Sequence, residues 1–483
     1  WIPAVFERDL VQSDRLLANF FSYREHFQPI TQIVQRTFAY DYGYDSEGKN
    51  GRESFYAQDS WKPSERLTIN AGVRVDFVRG KSVVLDKTVY DATSWAPRLG
   101  FAFDLTGDGK TVLKGHYGQY YDGIYFDAYQ TAAPGFRDYV TYAYDPAGDK
   151  CGPLGNCFSE IDRSPSLVYE VTQDIKHPRV DEWTVGIERE LFKDVRLSVT
   201  GIWREDKNVQ ASLYPDARWT PTTVTAATGD DPSLSGKQLT VYRWANRADS
   251  ENRGILTNVD GFEYLDPSGA LLGTARTERK YKGLMFVLDR RFTNRWQGRV
   301  SYVYSKSEGY LRNNGAPTYG QEAFFETPTL SLVNSFGYTN NDRPHELKVL
   351  GTWIVPKVEI NLSGYYRFLS GRTYTPFQRF GTSAINWPTS AGRQPFLEPR
   401  GNRRLENESY LDLRIEKVFN ISGAGKLAVF TDIQNIFNAS TVDAVNARYP
   451  NISVAGYDDP IAFEGATNIV QPRRFTLGAR WSF

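Results

Sequence analysis

The sequence predicts an all-β chain, a transmembrane antiparallel β-barrel, on three observations. Apolar and polar side chains alternate with a period of two, the alternating segments are long enough to cross a bilayer, and the connections between them are short and long in turn. The alternation is plainest at 67–77 (LTINAGVRVDF). Leu67, Ile69, Ala71, Val73, Val75 and Phe77 share one face, and Thr68, Asn70, Gly72, Arg74 and Asp76 the other. A helix would spread these apolar groups around its axis. The same pattern returns in VRLSVTGIW (195–203), YLDLRIEKVF (410–419) and RRFTLGARWSF (473–483).

Taken in order, it places strands at 12–24, 30–42, 52–61, 65–78, 94–105, 110–120, 180–191, 194–206, 281–292, 295–306, 344–355, 358–370, 408–419, 425–438 and 472–483. Most run roughly 10–13 residues, and a tilted strand needs about 9–11 to cross a bilayer. Short connections carry turn residues: KPSE (62–65), TGDG (106–109), FKD (192–194), TNR (293–295), VPK (355–357) and ISGAG (421–425). Asp108-Gly109 is a hairpin signal. Between them lie long connections near 121–179, 207–280, 307–343, 371–407 and 439–471. Outer-membrane barrels have short periplasmic turns and long extracellular loops. With the last strand ending on the periplasmic side, every short turn falls there and every long loop outside. Within one loop, KQLTVYRWANR (237–247) reads as an extra hairpin strand.

Composition agrees. The chain has 483 residues, 14% aromatic, with 30 Tyr, 29 Phe and 11 Trp, which suits the aromatic belts of a barrel. Its 57 basic and 57 acidic residues cancel, so nothing points to nucleic acid. No uninterrupted run of about 18 apolar residues exists, so a helical membrane protein is excluded. The four histidines (His26, His116, His177 and His345) are scattered, and no metalloprotease, nucleophile-elbow, phosphate-loop or dinucleotide motif occurs. Neither an enzyme nor a cofactor is expected. The acidic segment 41–53 lacks EF-hand spacing and reads as a solvated loop. Cys151 and Cys157, in CGPLGNC, are expected to form a local disulfide, since metal ligation needs more ligands than are near them.

Several hairpins resemble TonB-dependent outer-membrane receptors, particularly the Oar-like group. They are SFYAQDSWKPSERLTINAGVRVDF (54–77), WAPRLGFAFDLTGDGKTVLKGHYGQYYDG (95–123), HPRVDEWTVGIERELFKDVRLSVTGIW (177–203), NDRPHELKVLGTWIVP (341–356), YLDLRIEKVFNISGAGKLAVFTDIQNIFNAS (410–440) and RRFTLGARWSF (473–483). The resemblance runs from about residue 50 to the end and leaves out the long loops. It implies a barrel of about 22 strands closed by an N-terminal plug, in the bacterial outer membrane, importing a scarce ligand with work supplied by the TonB complex. Residues 1–483 are then one receptor β-barrel domain, the C-terminal two-thirds of the barrel. No plug is recognised here and no signal peptide opens the chain at Trp1, so the expectation is that the plug and first strands lie upstream.

The resemblance also implies that the terminal strand, with Phe475, Leu477, Trp481 and Phe483, is read by the β-barrel assembly machinery; the plain alternative is a set of lipid-facing residues. Arg74, Asp76, Arg196, Arg414, Glu416 and Arg480 fall on the polar phase, where they contact the plug, line the transport path or simply pair with one another. Tyr120, Tyr121, Tyr125, Phe126 and Tyr129 are candidates to stack on an extracellular ligand, although an interfacial aromatic belt accounts for the first of them equally well. The expected ligand class is a siderophore, oligosaccharide or peptide. Two other functions share the same wall: a passive porin, and a structural barrel whose loops bind an extracellular protein.

Overall fold

In a computed structural model, the structure describes residues 21–22, 37–40, 48–82, 87–122, 139–144, 147, 150–151, 157–164, 168–247, 253–310, 327–381, 384–386, 394–423, 425–450 and 462–483. Thirteen strands follow one another in a single antiparallel sheet. They are β1 (Gly48–Ser64), β2 (Leu67–Ser82), β3 (Lys87–Asp104), β4 (Thr111–Tyr121), β5 (Arg179–Phe192), β6 (Val195–Lys207), β7 (Arg279–Thr293), β8 (Trp296–Gly309), β9 (His345–Val355), β10 (Ile360–Leu369), β11 (Glu408–Ile421), β12 (Gly425–Gln434) and β13 (Arg474–Ser482). Each pairs with its neighbours in sequence, as the alternation predicts.

Two strands expected earlier, 12–24 and 30–42, fall mostly outside the described residues. Their described parts, Phe21–Ser22 and Thr37–Tyr40, pair with each other, and Thr37–Tyr40 pairs onward with Tyr139–Tyr144 in a separate sheet rather than with β1. Among the described residues β1 and β13 are the two edges of an open wall.

The short connections are tight because their residues accept unusual backbone angles. Asn294 and Arg295 both have positive φ, the signature of a type I′ turn, whose twist matches that of the flanking strands. In the β3–β4 turn the Asp104 carboxylate accepts the N–H groups of Thr106, Gly107 and Gly109. Gly107 and Gly109 supply positive φ there.

Register separates the two faces. On the outer face lie rows such as Leu197–Leu288–Val300–Val349 and Val199–Phe286–Tyr302–Leu347. Near the long-loop end this face carries Tyr117, Trp183 and Trp203 in one row, with the Tyr117 and Trp183 rings 4.1 Å apart. Near the short-turn end it carries Trp296 opposite Trp353, and Trp481 opposite Leu427. Aromatic rings at both ends of an apolar band are what a lipid-facing wall requires. The other phase is polar and faces the lumen.

Strand ends differ from expectation at β2 and β3. The hairpin continues to Ser82 and Lys87, well beyond the expected bounds of 78 and 94. The extension survives because Val78, Val89, Tyr90 and Ala92 are buried against Ile175 and Leu256 of the loop layer. Packing, not lipid, stabilises that part of the hairpin.

Candidate functional site

The long connections fold into a cap over the long-loop end of the wall. Its sheets form where loop sequences alternate. QLTVYRW (Gln238–Trp244) buries Leu239, Val241 and Trp244 and pairs with Trp219–Thr225, so the hairpin strand expected at 237–247 is present. Arg253–Asn258 pairs with Gln210–Leu213 on one side and Val168–Val171 on the other. A five-residue helix, α1 (Pro328–Leu332), starts at Thr327, whose hydroxyl accepts the Leu330 N–H, with Pro328 where no N–H is needed.

Residues from different loops share one apolar core. Leu213, Leu234, Val241, Val259, Tyr264, Ile385, Leu397 and Tyr449 are all almost wholly buried in it. Trp219 stacks on Trp244 at 5.8 Å, and Tyr214 lies 5.3 Å from Trp244. Polar groups brought into this layer are matched. Asn386 accepts the Trp244 N–H at 2.7 Å and donates to its carbonyl at 2.6 Å, standing in for a strand neighbour. Thr329 does the same for Tyr242. A buried polar group left unmatched costs about 1–3 kcal/mol, so these pairs specify how the loops dock.

Two arginines tie the loops together. Arg403 reaches Glu398 at 2.9 Å, Glu464 at 2.6 Å and Asp231 at 2.7 Å, joining three separate loops. The Arg403 guanidinium holds Glu398 below the ordinary carboxylate range, and Arg403 is itself shifted up chiefly by its bonds to Glu398. Arg343 is ion-paired to Glu408, both nearly buried, and lies 3.4 Å from Asp443.

Below the cap, the inner face is a run of paired charges. Asp76 is held by Arg52 at 2.9 Å and Arg74 at 3.0 Å. Lys114 meets Glu188 at 2.8 Å, Arg196 meets Asp289 at 3.2 Å, and Arg414 meets Asp432 at 2.7 Å. Glu416 accepts from Asn361 at 3.4 Å, and Arg480 stands opposite Ala428 near the short-turn end. All six charged residues singled out in the sequence therefore lie on the inner phase, most of them paired within the wall.

The aromatic candidates separate. Tyr120 is on the inner face, where its hydroxyl is 2.9 Å from the His116 ring and Arg98 lies over its ring at 5.0 Å. Tyr121 is on the outer phase and bonds Gln119 and Arg179. Tyr125, Phe126 and Tyr129 lie outside the described residues. Phe475, Leu477, Trp481 and Phe483 are exposed on the outer side of the last strand. Cys151 stands opposite Cys157 in the strand register, their side chains being outside what is described. Sequence reading set His116 aside as one of four scattered histidines and passed over Arg98 and Arg403. The first two share the polar phase of β3 and β4 with Gly100 and Gly118, a pattern that was legible. Arg403 depends on contacts between loops, which leave no local signal.

These features agree with what the chain matches. The Outer membrane beta barrel domain family covers residues 79–372. The TonB-dependent transporter Oar of Myxococcus xanthus is 22% identical over 434 residues, which is 82% of this chain and 36% of that protein. The chain thus spans about a third of that relative's length. Among solved structures, the outer membrane transporter YddB from Escherichia coli covers 93% of this chain and 53% of its own at 11% identity and a TM-score of 0.47. The FrpB iron transporter from Neisseria meningitidis covers 90% and 46% at 11% identity and a TM-score of 0.49. The family match spans more than half of a chain whose strands form a wall apolar outside and charged inside, and the protein belongs to the outer-membrane β-barrel domain family of the bacterial outer membrane.

Proposed function

We propose that the protein imports a scarce ligand across the outer membrane with energy from the TonB complex, and that it is a transporter rather than an enzyme. The observation that carries this is the match to the TonB-dependent transporter Oar along 82% of the chain. The geometry supports it: a polar inner face lies beneath a folded cap, and among the described residues the wall has two edges that further strands would pair. Unpaired strand edges are not viable in lipid. The expected result is that deleting the TonB complex abolishes energy-dependent uptake by cells carrying the full-length protein. Uptake that continues unchanged would favour a passive pore.

Two smaller roles belong to the same reading. The exposed aromatic face of β13 serves as the signal read by the β-barrel assembly machinery. Cys151 and Cys157 form a disulfide, supported by their opposed register and the oxidising compartment. Alkylation of the unreduced, denatured protein should label neither cysteine, and mass spectrometry showing both labelled would remove the bridge.

A further inference from the structure

We propose that the inner face of β2–β5 carries an anion-binding basin centred on Arg98 and His116, and that the imported ligand is a small molecule bearing carboxylates. The inference rests on the import reading for the word imported, and on the wall itself for the site.

The basin arises from register. Arg98 stands between Gly72 and Gly118, His116 opposite Gly100, Lys114 between Ala102 and Gly186, and Arg74 opposite Ala96. Arg98 and Lys114 therefore project between residues with almost no side chain, while Arg74 also faces Tyr56 and His116 also faces Thr184. Over this floor a concavity of about 970 Å³ opens on the wall, lined by Arg74, Arg98, Lys114 and His116 together with Tyr56 and Asp59.

Within it Arg98 stands apart from the other cations. Lys114 is occupied by Glu188 and Arg74 by Asp76. Arg98 has the Tyr120 ring, and among the described residues no carboxylate lies within ion-pair distance of it. Among the described residues His116 bonds the Tyr120 hydroxyl alone. Tyr120 braces both, which fixes their direction and leaves the Arg98 charge in place. Elsewhere on the wall the inner cations Arg196 and Arg414 face carboxylates on the adjoining strands.

A guanidinium with free N–H groups presents a planar fork that matches a carboxylate in two places, and the neighbouring imidazole adds one more donor. Two or more carboxylates on one small ligand would use the Arg98 fork and the His116 ring together.

The test is calorimetric titration of the full-length protein, purified in detergent, with tricarballylate and with its uncharged triamide. Tricarballylate should bind and the triamide should not. Arg98→Gln should weaken tricarballylate by about tenfold or more, and binding should weaken further as salt is raised. Lys282→Gln, on the outer face, should change nothing. Retained heat-modifiable gel mobility shows that each variant is folded. Equal binding of the acid and the amide, no binding of either, or an unaltered affinity in Arg98→Gln would each overturn the proposal. No binding together with a lower melting temperature in Arg98→Gln would show instead that an acidic protein segment fills the basin. The titration needs no energy source, so its outcome is independent of TonB coupling.

Discussion

Replacing Arg403 with alanine is expected to unlatch the cap, at a cost of about 3–5 kcal/mol to its local stability. The side chain is only 18% exposed and meets three carboxylates, those of Glu398, Asp231 and Glu464. The cost comes less from the attraction lost than from three carboxylates left facing one another with no cation between them. Lysine would restore the charge but not the fork that reaches all three. Hydrogen exchange is the appropriate readout, because a local opening need not unfold the wall. Exchange should rise in 238–244 and 466–469 and stay slow in 411–415. Unchanged exchange across the cap would show that the apolar core alone holds the loops.

The same cluster sets a pH response. Glu398 is lowered first by its bonds to Arg403; for Asp231, burial opposes the charge, but the Ser233 hydroxyl and Arg403 outweigh it. Groups lowered in the folded state stabilise it fully above their unfolded values, near 4, and lose that contribution as pH falls through the folded ones. The opening equilibrium of the cap, read as exchange corrected for the intrinsic pH dependence of amide exchange, should therefore be flat from neutral pH to about 5 and rise below about 4. In Arg403→Ala that acid-driven opening should shrink or reverse, because the carboxylates are no longer held as far below their unfolded values and protonation relieves their mutual repulsion.

The wall was legible in the sequence and the cap largely was not, for one physical reason. A strand's face is set by its own alternation, so residues 67–77 alone place Phe77 outside and Asp76 inside. The Gln238–Trp244 hairpin was legible for the same reason. The rest of the cap is assembled between loops: Asn386 and Trp244 bond each other across 142 residues. Nothing local encodes such a pair. Tyr120 and Tyr121 show the limit within one strand. Composition groups them as loop aromatics, whereas the period of two sends them to opposite sides of the wall.

Placing an arginine at Phe286 is expected to cost about 2–4 kcal/mol, while placing one at the preceding Met285 should cost much less. Phe286 is on the outer phase near the middle of β7, between Val199 and Tyr302, with the Tyr302 ring 6.3 Å away. An arginine there would have to leave its charge in hydrocarbon or bend away to reach a headgroup. Met285 is on the inner phase, opposite Thr200 and Val303, where a guanidinium can be hydrated. Urea titration of the full-length protein folded into lipid vesicles measures both costs. The pair is informative because a one-residue slip in register exchanges the two faces completely. Equal costs would mean that neither face meets lipid. A larger cost at Met285 would turn the wall inside out, and with it the assignment of Arg98, Asp76 and Arg414 to the lumen.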